Sequence, residues 1–208
     1  MFHHRKAGTK ALVKSMGYLH INTMGNNEDE DNAFIKKRLP MGLKARYSSC
    51  GRSAAKIFPK DVKLPLCDDY SGVKKTGLLG NVNNYLIMNS KATEMIVDAM
   101  PADQIEVYSF TILDRNGDIF SKDYKIVNPL GGFDCLHMTK SKINHMDNGK
   151  ILSIDEYVLD ESKLKNAPPL FRIQESLSEY VMSSKLFDAL LAAGVDNLHG
   201  TPFKVSGV

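Results

Sequence analysis

A cysteine and a histidine stand two positions apart in residues 131–137, GGFDCLH. Cys135 could act as a nucleophile and His137 as its base, because residues i and i+2 of a strand point to the same face. Such an enzyme also needs a group that orients the base and donors for an oxyanion, and the sequence supplies neither. We therefore interpret Cys135 as a small buried apolar residue and keep a cysteine-dependent enzyme as an alternative.

The glycine pair in the same segment could belong to a phosphate-binding loop. Such a loop carries more glycines and opens a helix, whereas residues 133–137 do not resemble a helix. We predict a turn over residues 128–132 and then a strand with alternating faces. The residues on one face of that strand would be Phe133, Cys135 and His137, and those on the other Asp134 and Leu136.

Metal-binding patterns are also incomplete. His137 and His145 are eight residues apart without a zinc-binding spacing, and residues 114–118, DRNGD, lack the distal glutamate of a calcium loop. Adjacent carboxylates such as Asp155 and Glu156 are more typical of a solvated surface than of acid–base catalysis. The sequence thus predicts no catalytic residues, no metal site and no cofactor.

Charge is distributed unevenly along the 208 residues. Residues 1–60 contain twelve Lys/Arg and four Asp/Glu, giving +8, whereas residues 61–208 contain fifteen and twenty, giving −5. We predict a basic, partly flexible N-terminal extension over 1–60 and a folded domain over 61–208. Nucleic-acid binding through the extension is an alternative function, disfavoured because the extension lacks interleaved aromatic residues.

Two segments, 85–100 and 180–195, pass from an apolar strand through Ser-Lys into an apolar helix. Ser90 and Ser184 are predicted N-caps, because a serine hydroxyl can accept a hydrogen bond from an unpaired backbone N–H. Gly194 is predicted to end the second helix in a left-handed conformation.

Between these segments the pattern is that of strands. Residues 105–113 and 119–127 flank an Asn-Gly turn and predict a hairpin. Residues 150–160 and 168–173 predict further strands. The expected fold class is α+β, a mainly antiparallel sheet with a few helices on one face. No apolar run approaches 18 residues, so no membrane-spanning helix is expected, and three scattered cysteines suit a cytoplasmic protein.

The order of several motifs resembles that of a known family. The motifs are TGLLGNVNNYLIMNSKATEMI (76–96), IEVYSFTILDRNGDIFSKDYKIVNPLGGFDCLH (105–137), ILSIDEYVLDES (151–162) and PPLFRIQESLSEYVMSSKLFDALLAAG (168–194). Together they resemble the polymorphic-toxin immunity proteins of the eleventh immunity family over about residues 64–203. His137 departs from the pattern, since an acidic residue is frequent at that position.

The resemblance implies a bacterial protein that binds and blocks a cognate toxin, often one delivered by type VI or contact-dependent secretion. An inhibitor of this kind needs a complementary surface with a few anchors and steering charges, not a nucleophile. The candidate toxin-binding residues are Asp134, His137, Asp155 and Glu156. Tyr157 and Phe171 could be anchors or core residues, and homodimerisation is left open.

Overall fold

The computed structural model describes residues 17–207. Its two α-helices are Ser90–Ala99 (α1) and Ser184–Ala192 (α2), and 3-10 turns span Gly42–Ser49, Ala102–Gln104 and Leu164–Asn166. Strands make up most of the regular structure: Tyr18–Asn22 (β1), Phe34–Ile35 (β2), Lys63–Pro65 (β3), Gly80–Asn81 (β4), Leu86–Asn89 (β5), Ile105–Ser109 (β6), Thr111–Leu113 (β7), Ile119–Ser121 (β8), Tyr124–Pro129 (β9), Lys142–His145 (β10), Ile151–Glu156 (β11), Val158–Asp160 (β12), Leu170–Ile173 (β13), Ser176–Ser183 (β14), His199–Pro202 (β15) and Lys204–Ser206 (β16).

The largest sheet has four antiparallel strands in the order β13-β14-β1-β15. A three-stranded antiparallel sheet, β5-β9-β6, carries α1, and α2 packs beside β14. Short parallel pairs such as β12 with β16 complete the architecture. The predicted α+β class with mainly antiparallel strands is confirmed.

The predicted hairpin is present. Its two arms are β6–β7 and β8–β9, with Val107 opposite Val127 and Ile112 opposite Ser121. At the tip Gly117 adopts a positive φ of 90°, and the Asp114 carboxylate accepts hydrogen bonds from the N–H groups of Asn116 and Asp118. The turn therefore forms because Gly117 tolerates a left-handed backbone and the Asp114 carboxylate caps the turn.

Both predicted strand-to-helix units form, but their N-caps lie one residue earlier than expected. The side chains of Asn89 and Ser183 accept hydrogen bonds from Ala92 N and Leu186 N, at 2.9 and 3.3 Å. Both residues have extended backbone, as an N-cap requires, whereas Ser90 is already helical and its hydroxyl bonds to Asp123 O. Gly194 has φ +83° just after α2, so that prediction is confirmed.

Residues 17–60, predicted to belong to an extension, are part of the folded core where the structure describes them. β1 is an inner strand of the main sheet, with Ile21 1% exposed, and Ile35 and Ala54 lie in an apolar cluster with the hairpin residue Ile126. Burial of the apolar side chains in residues 17–60 removes them from water, which favours packing of this segment into the core. The boundary at residue 60 is therefore corrected for residues 17–60, and residues 1–16 lie outside the described residues.

The segment 133–137 is not the alternating strand that was expected. With the residues that the structure describes, it makes only isolated bridges, Phe133 with Ile173 and Leu136 with Leu159, and both Cys135 and Leu136 are fully buried. Adjacent side chains are buried because the segment crosses between two strands inside an apolar cluster. The expected turn is shifted too, since Asn128 and Pro129 end β9 and the left-handed residue is Gly131.

The predicted strand 150–160 is two strands with different partners. β11 pairs antiparallel with β10, whereas β12 pairs parallel with β16, and Tyr157 lies at the break. The strand predicted at 168–173 is β13. No helix in the described part of the chain is long and apolar enough to cross a membrane.

Candidate functional site

An open groove lies where two strands change partners. β11 ends and β12 begins at Tyr157, and β15 ends and β16 begins at Phe203, so at these two residues the chain leaves one sheet and enters the β12–β16 pair. The groove has a volume of about 520 Å³. Its walls come from four separate parts of the chain: His20, Asp155–Tyr157, Glu179 and Thr201–Lys204.

Three carboxylates face this groove. Glu179 Oε2 lies 2.7 Å from His20 Nε2, and this hydrogen bond is the main reason that the pKa of Glu179 is lowered. Glu156 pairs with Lys204, which lowers the pKa of Glu156. Asp155 is exposed and accepts hydrogen bonds from Asn144 Nδ2 and Ser153 Oγ, at 3.0 and 3.4 Å. In residues 17–207 no cation forms an ion pair with Asp155, so its charge is open to a partner.

Aromatic rings hold the groove in shape. The Phe203 ring packs edge-on against His20 and Tyr157, with ring centroids 5.9 and 6.1 Å apart. The Phe203 N–H donates to Tyr18 O at 2.9 Å, and the Tyr157 hydroxyl lies 3.3 Å from Ser176 Oγ. The apolar wall is therefore formed before any partner binds, which reduces the entropy that binding would cost.

A projecting hairpin adjoins the groove. Within residues 17–207, β10 and β11 pair only with each other, and residues 142–156 are mostly exposed, including Met146 in the turn at 46% and Leu152 in β11 at 62%. Asp155 and Glu156 lie at the end of β11 that enters the groove. Residues 146–156 therefore present the apolar groups of the hairpin and two acidic groups of the groove on one continuous stretch of chain.

The structure brings together two of the four predicted toxin-binding residues. Asp155 and Glu156 share the groove, whereas Asp134 and His137 do not line it. Asp134 pairs with Lys163 at 2.6 Å, and His137 Nδ1 lies 3.3 Å from Thr139 Oγ1. Phe171 is 4% exposed and belongs to the core.

The groove also contains residues that the sequence did not single out, namely His20, Glu179, Phe203 and Lys204. No local pattern identifies them, because each comes from a different strand or link. Their proximity follows from the pairing of β1 with both β14 and β15.

The surroundings of Cys135 do not activate its thiol, because the causes that raise its pKa outweigh the nearby Lys163 charge, which lowers it. It is fully buried, and burial followed by the charges of Glu175 and Asp134 raises its pKa to about 12. In the part of the chain that the structure describes, no hydrogen bond joins the Cys135 thiol to His137, whose ring contacts Thr139 instead. Among residues 17–207, no group of three or more His, Cys, Asp or Glu is arranged to hold a metal ion.

We expect Cys135 to react slowly with thiol reagents. With a pKa of about 12, fewer than about one in 10⁴ molecules carries the Cys135 thiolate near pH 7.5, and the thiolate is the reactive form. With Cys50 and Cys67 replaced by serine, labelling in native buffer should be at least about 100-fold slower than in 8 M urea. Fast native labelling of Cys135 would restore the cysteine-enzyme alternative.

The Glu179–His20 contact should make stability depend on pH. A carboxyl whose pKa is lowered by folding contributes stability above its unfolded pKa, about 4.5, and loses it as pH falls through the folded value. Glu179→Gln should therefore lower the free energy of unfolding by about 0.5–1 kcal/mol at pH 7.

Urea titrations of both proteins between pH 7 and 3 test this expectation. The difference between wild type and Glu179→Gln should shrink below pH 4.5, whereas Glu28→Gln, at an exposed position outside the groove, should show no such trend. A difference that stays constant over the whole range would contradict the assignment.

No protein-family model matches this chain, and no curated protein matches it.

Proposed function

We propose that this protein is a bacterial immunity protein that binds a cognate toxin and neutralises it by occupying the toxin's surface. The motif order described above suggests this role, and it implies that the protein works in the cytoplasm of the cell that makes it. Secretion of the toxin by a type VI or contact-dependent system belongs to the same proposal.

The open groove beside Asp155 and Glu156 carries this proposal. It combines carboxylates with a preformed aromatic wall, a composition that suits protein recognition, in which a few anchors supply affinity and charges steer the encounter. A partner that fits it would present Lys or Arg beside an apolar side chain. The exposed hairpin β10–β11 would extend the contact, because Met146 and Leu152 are available to a partner.

Inhibition by binding also agrees with the chemistry of the described residues. The one thiol considered as a nucleophile is buried with a raised pKa, and His137 bonds to a threonine hydroxyl. Two of the three groove carboxylates, Glu179 and Glu156, pair with His20 and Lys204. Their pKa values are lowered, whereas a general acid needs a raised one.

Co-expression with the toxin gene that neighbours this gene tests the proposal. Cells that produce the toxin alone should die, and cells that also produce this protein should grow. The two purified proteins should elute together in size-exclusion chromatography, which also reports whether the free protein is a dimer. Cell death despite equal production of this protein, with no shared elution peak, would contradict the proposal.

A further inference from the structure

Residues 36–60, which are rich in Lys and Arg, border a second cavity. This cavity shares no lining residue with the acidic groove. Residues 36–60 contain eight Lys/Arg and no Asp/Glu. A cavity of about 560 Å³ lies against this stretch, and none of its lining residues is acidic. The lining residues used below are Arg38, Leu43, Arg46, Val82, Asn83 and Tyr85.

The walls of this cavity are fixed by hydrogen bonds from the folded body. The Asn83 side-chain amide donates to the carbonyls of Lys36 and Lys37, both at 3.0 Å, and so holds the segment that carries Arg38. The Tyr85 hydroxyl donates to Ala45 O at 3.2 Å and holds the 3-10 turn that carries Arg46. The two guanidinium groups therefore extend from anchored backbone.

The positive charge of the cavity is not neutralised by the protein itself. In residues 17–207 neither Arg38 nor Arg46 forms an ion pair with a carboxylate, whereas nearby Lys36 is paired with Asp69. A third guanidinium, that of Arg172, contacts the 3-10 turn that borders the cavity. It donates to the carbonyls of Ser48 and Ser49 at 3.3 and 3.0 Å. Clustered cations in a concave surface attract anions and accelerate their association.

Two aliphatic side chains that line the cavity are exposed to solvent. Leu43 is 91% exposed and Val82 is 52% exposed. No aromatic face is open there, because Tyr85 is 2% exposed, and nucleic-acid bases would need such a face for stacking. Exposed aliphatic groups beside arginines are typical of a surface that recognises protein.

We infer that this cavity is a second binding site, for an acidic protein segment that carries an aliphatic side chain. Carboxylates of the segment pair with Arg38 and Arg46, and its aliphatic group packs on Leu43 and Val82. Because the site shares no lining residue with the acidic groove, it can be occupied while the groove holds another partner. The inference does not depend on the proposed toxin.

Fluorescence anisotropy with a labelled peptide of Glu and Leu residues, ELEELEELEE, tests the site on the full chain. Wild type should bind this peptide, and Arg38→Gln and Arg46→Gln should each weaken binding about fivefold or more, as loss of one charge-assisted contact predicts. Leu43→Ser should also weaken it. Lys122→Gln, at an exposed lysine outside the cavity, is the matched control and should bind within about twofold of wild type.

Exchanging the charges of the cavity and of the peptide tests whether binding depends on their complementary charge. The double variant Arg38→Glu/Arg46→Glu should no longer bind the acidic peptide and should instead bind the corresponding lysine peptide, KLKKLKKLKK. Absence of binding by wild type at 1 mM peptide would overturn the inference, as would equal binding by all single variants. Tighter binding of a 20-nucleotide single-stranded DNA, unaffected by Leu43→Ser, would overturn it in favour of a nucleic-acid site.

Discussion

Replacing Arg172 by methionine should lower the free energy of unfolding by about 3–5 kcal/mol, because it removes a buried cation that donates hydrogen bonds to several acceptors. Arg172 is 1% exposed, and its guanidinium lies within hydrogen-bonding distance of six acceptors. None is a carboxylate: they are the carbonyls of Ser48, Ser49, Pro129 and Leu177, the Asn128 side chain and the Tyr180 hydroxyl.

The size of the expected effect follows from the groups that would be left behind. Methionine fills much of the space but donates nothing, so buried carbonyls of the 3-10 turn Gly42–Ser49, β9 and the β13–β14 region lose their donor. A buried polar group without a partner costs about 1–3 kcal/mol. The Arg172 guanidinium also lies 3.9 Å from the centre of the Tyr180 ring, a contact that is lost as well.

Urea denaturation followed by circular dichroism measures the effect. Arg46→Met is the matched control, because Arg46 is exposed and its loss should change the free energy of unfolding by less than about 0.5 kcal/mol. A loss below about 1 kcal/mol for Arg172→Met would show that the network contributes little to stability.

Reversing the charge of Asp155 and Glu156 together should weaken binding of the proposed toxin about 100-fold, which corresponds to about 2.7 kcal/mol. Asp155→Lys/Glu156→Lys would place two cations in the groove beside Lys204, where the proposed partner brings its own basic residues. Most of the change should appear in the salt-sensitive association rate, because these side chains are at least partly exposed.

Surface plasmon resonance at two salt concentrations measures both rates. Glu94→Lys/Asp98→Lys is the matched control, since it changes the net charge equally on an exposed face of α1 outside the groove. If both double variants lose affinity equally, overall charge rather than the groove determines binding. If neither loses affinity, the toxin binds elsewhere.

The sequence predicted elements whose signals are local. The hairpin with its Asn-Gly turn, the two strand-to-helix units and the role of Gly194 follow from periodicity and from backbone preferences over a few residues. The N-caps lie one residue before the predicted ones, because the side chains of Asn89 and Ser183 can cap a helix as well as the serines that follow them. Local patterns do not distinguish such neighbours.

Features that depend on distant pairing were not predictable. β1 is too short for its burial pattern to indicate an inner strand, and its role follows from its pairing with β14 and β15, far along the chain. Arg172 interrupts an apolar strand, and only the surrounding carbonyls explain why its charge is buried. Asp155 and Glu156 were candidate binding residues from the sequence, whereas the folded sheet was needed to show that His20 and Glu179 line the same groove.

A titration of toxin activity tests most directly whether this protein acts by occupying the surface of another protein. A fixed concentration of the purified toxin from the neighbouring gene is mixed with increasing amounts of this protein, and the toxin's own activity is measured. We expect activity to fall linearly and to vanish near one equivalent, as for a tight stoichiometric inhibitor. Full toxin activity in the presence of a tenfold excess of this protein would contradict the proposal.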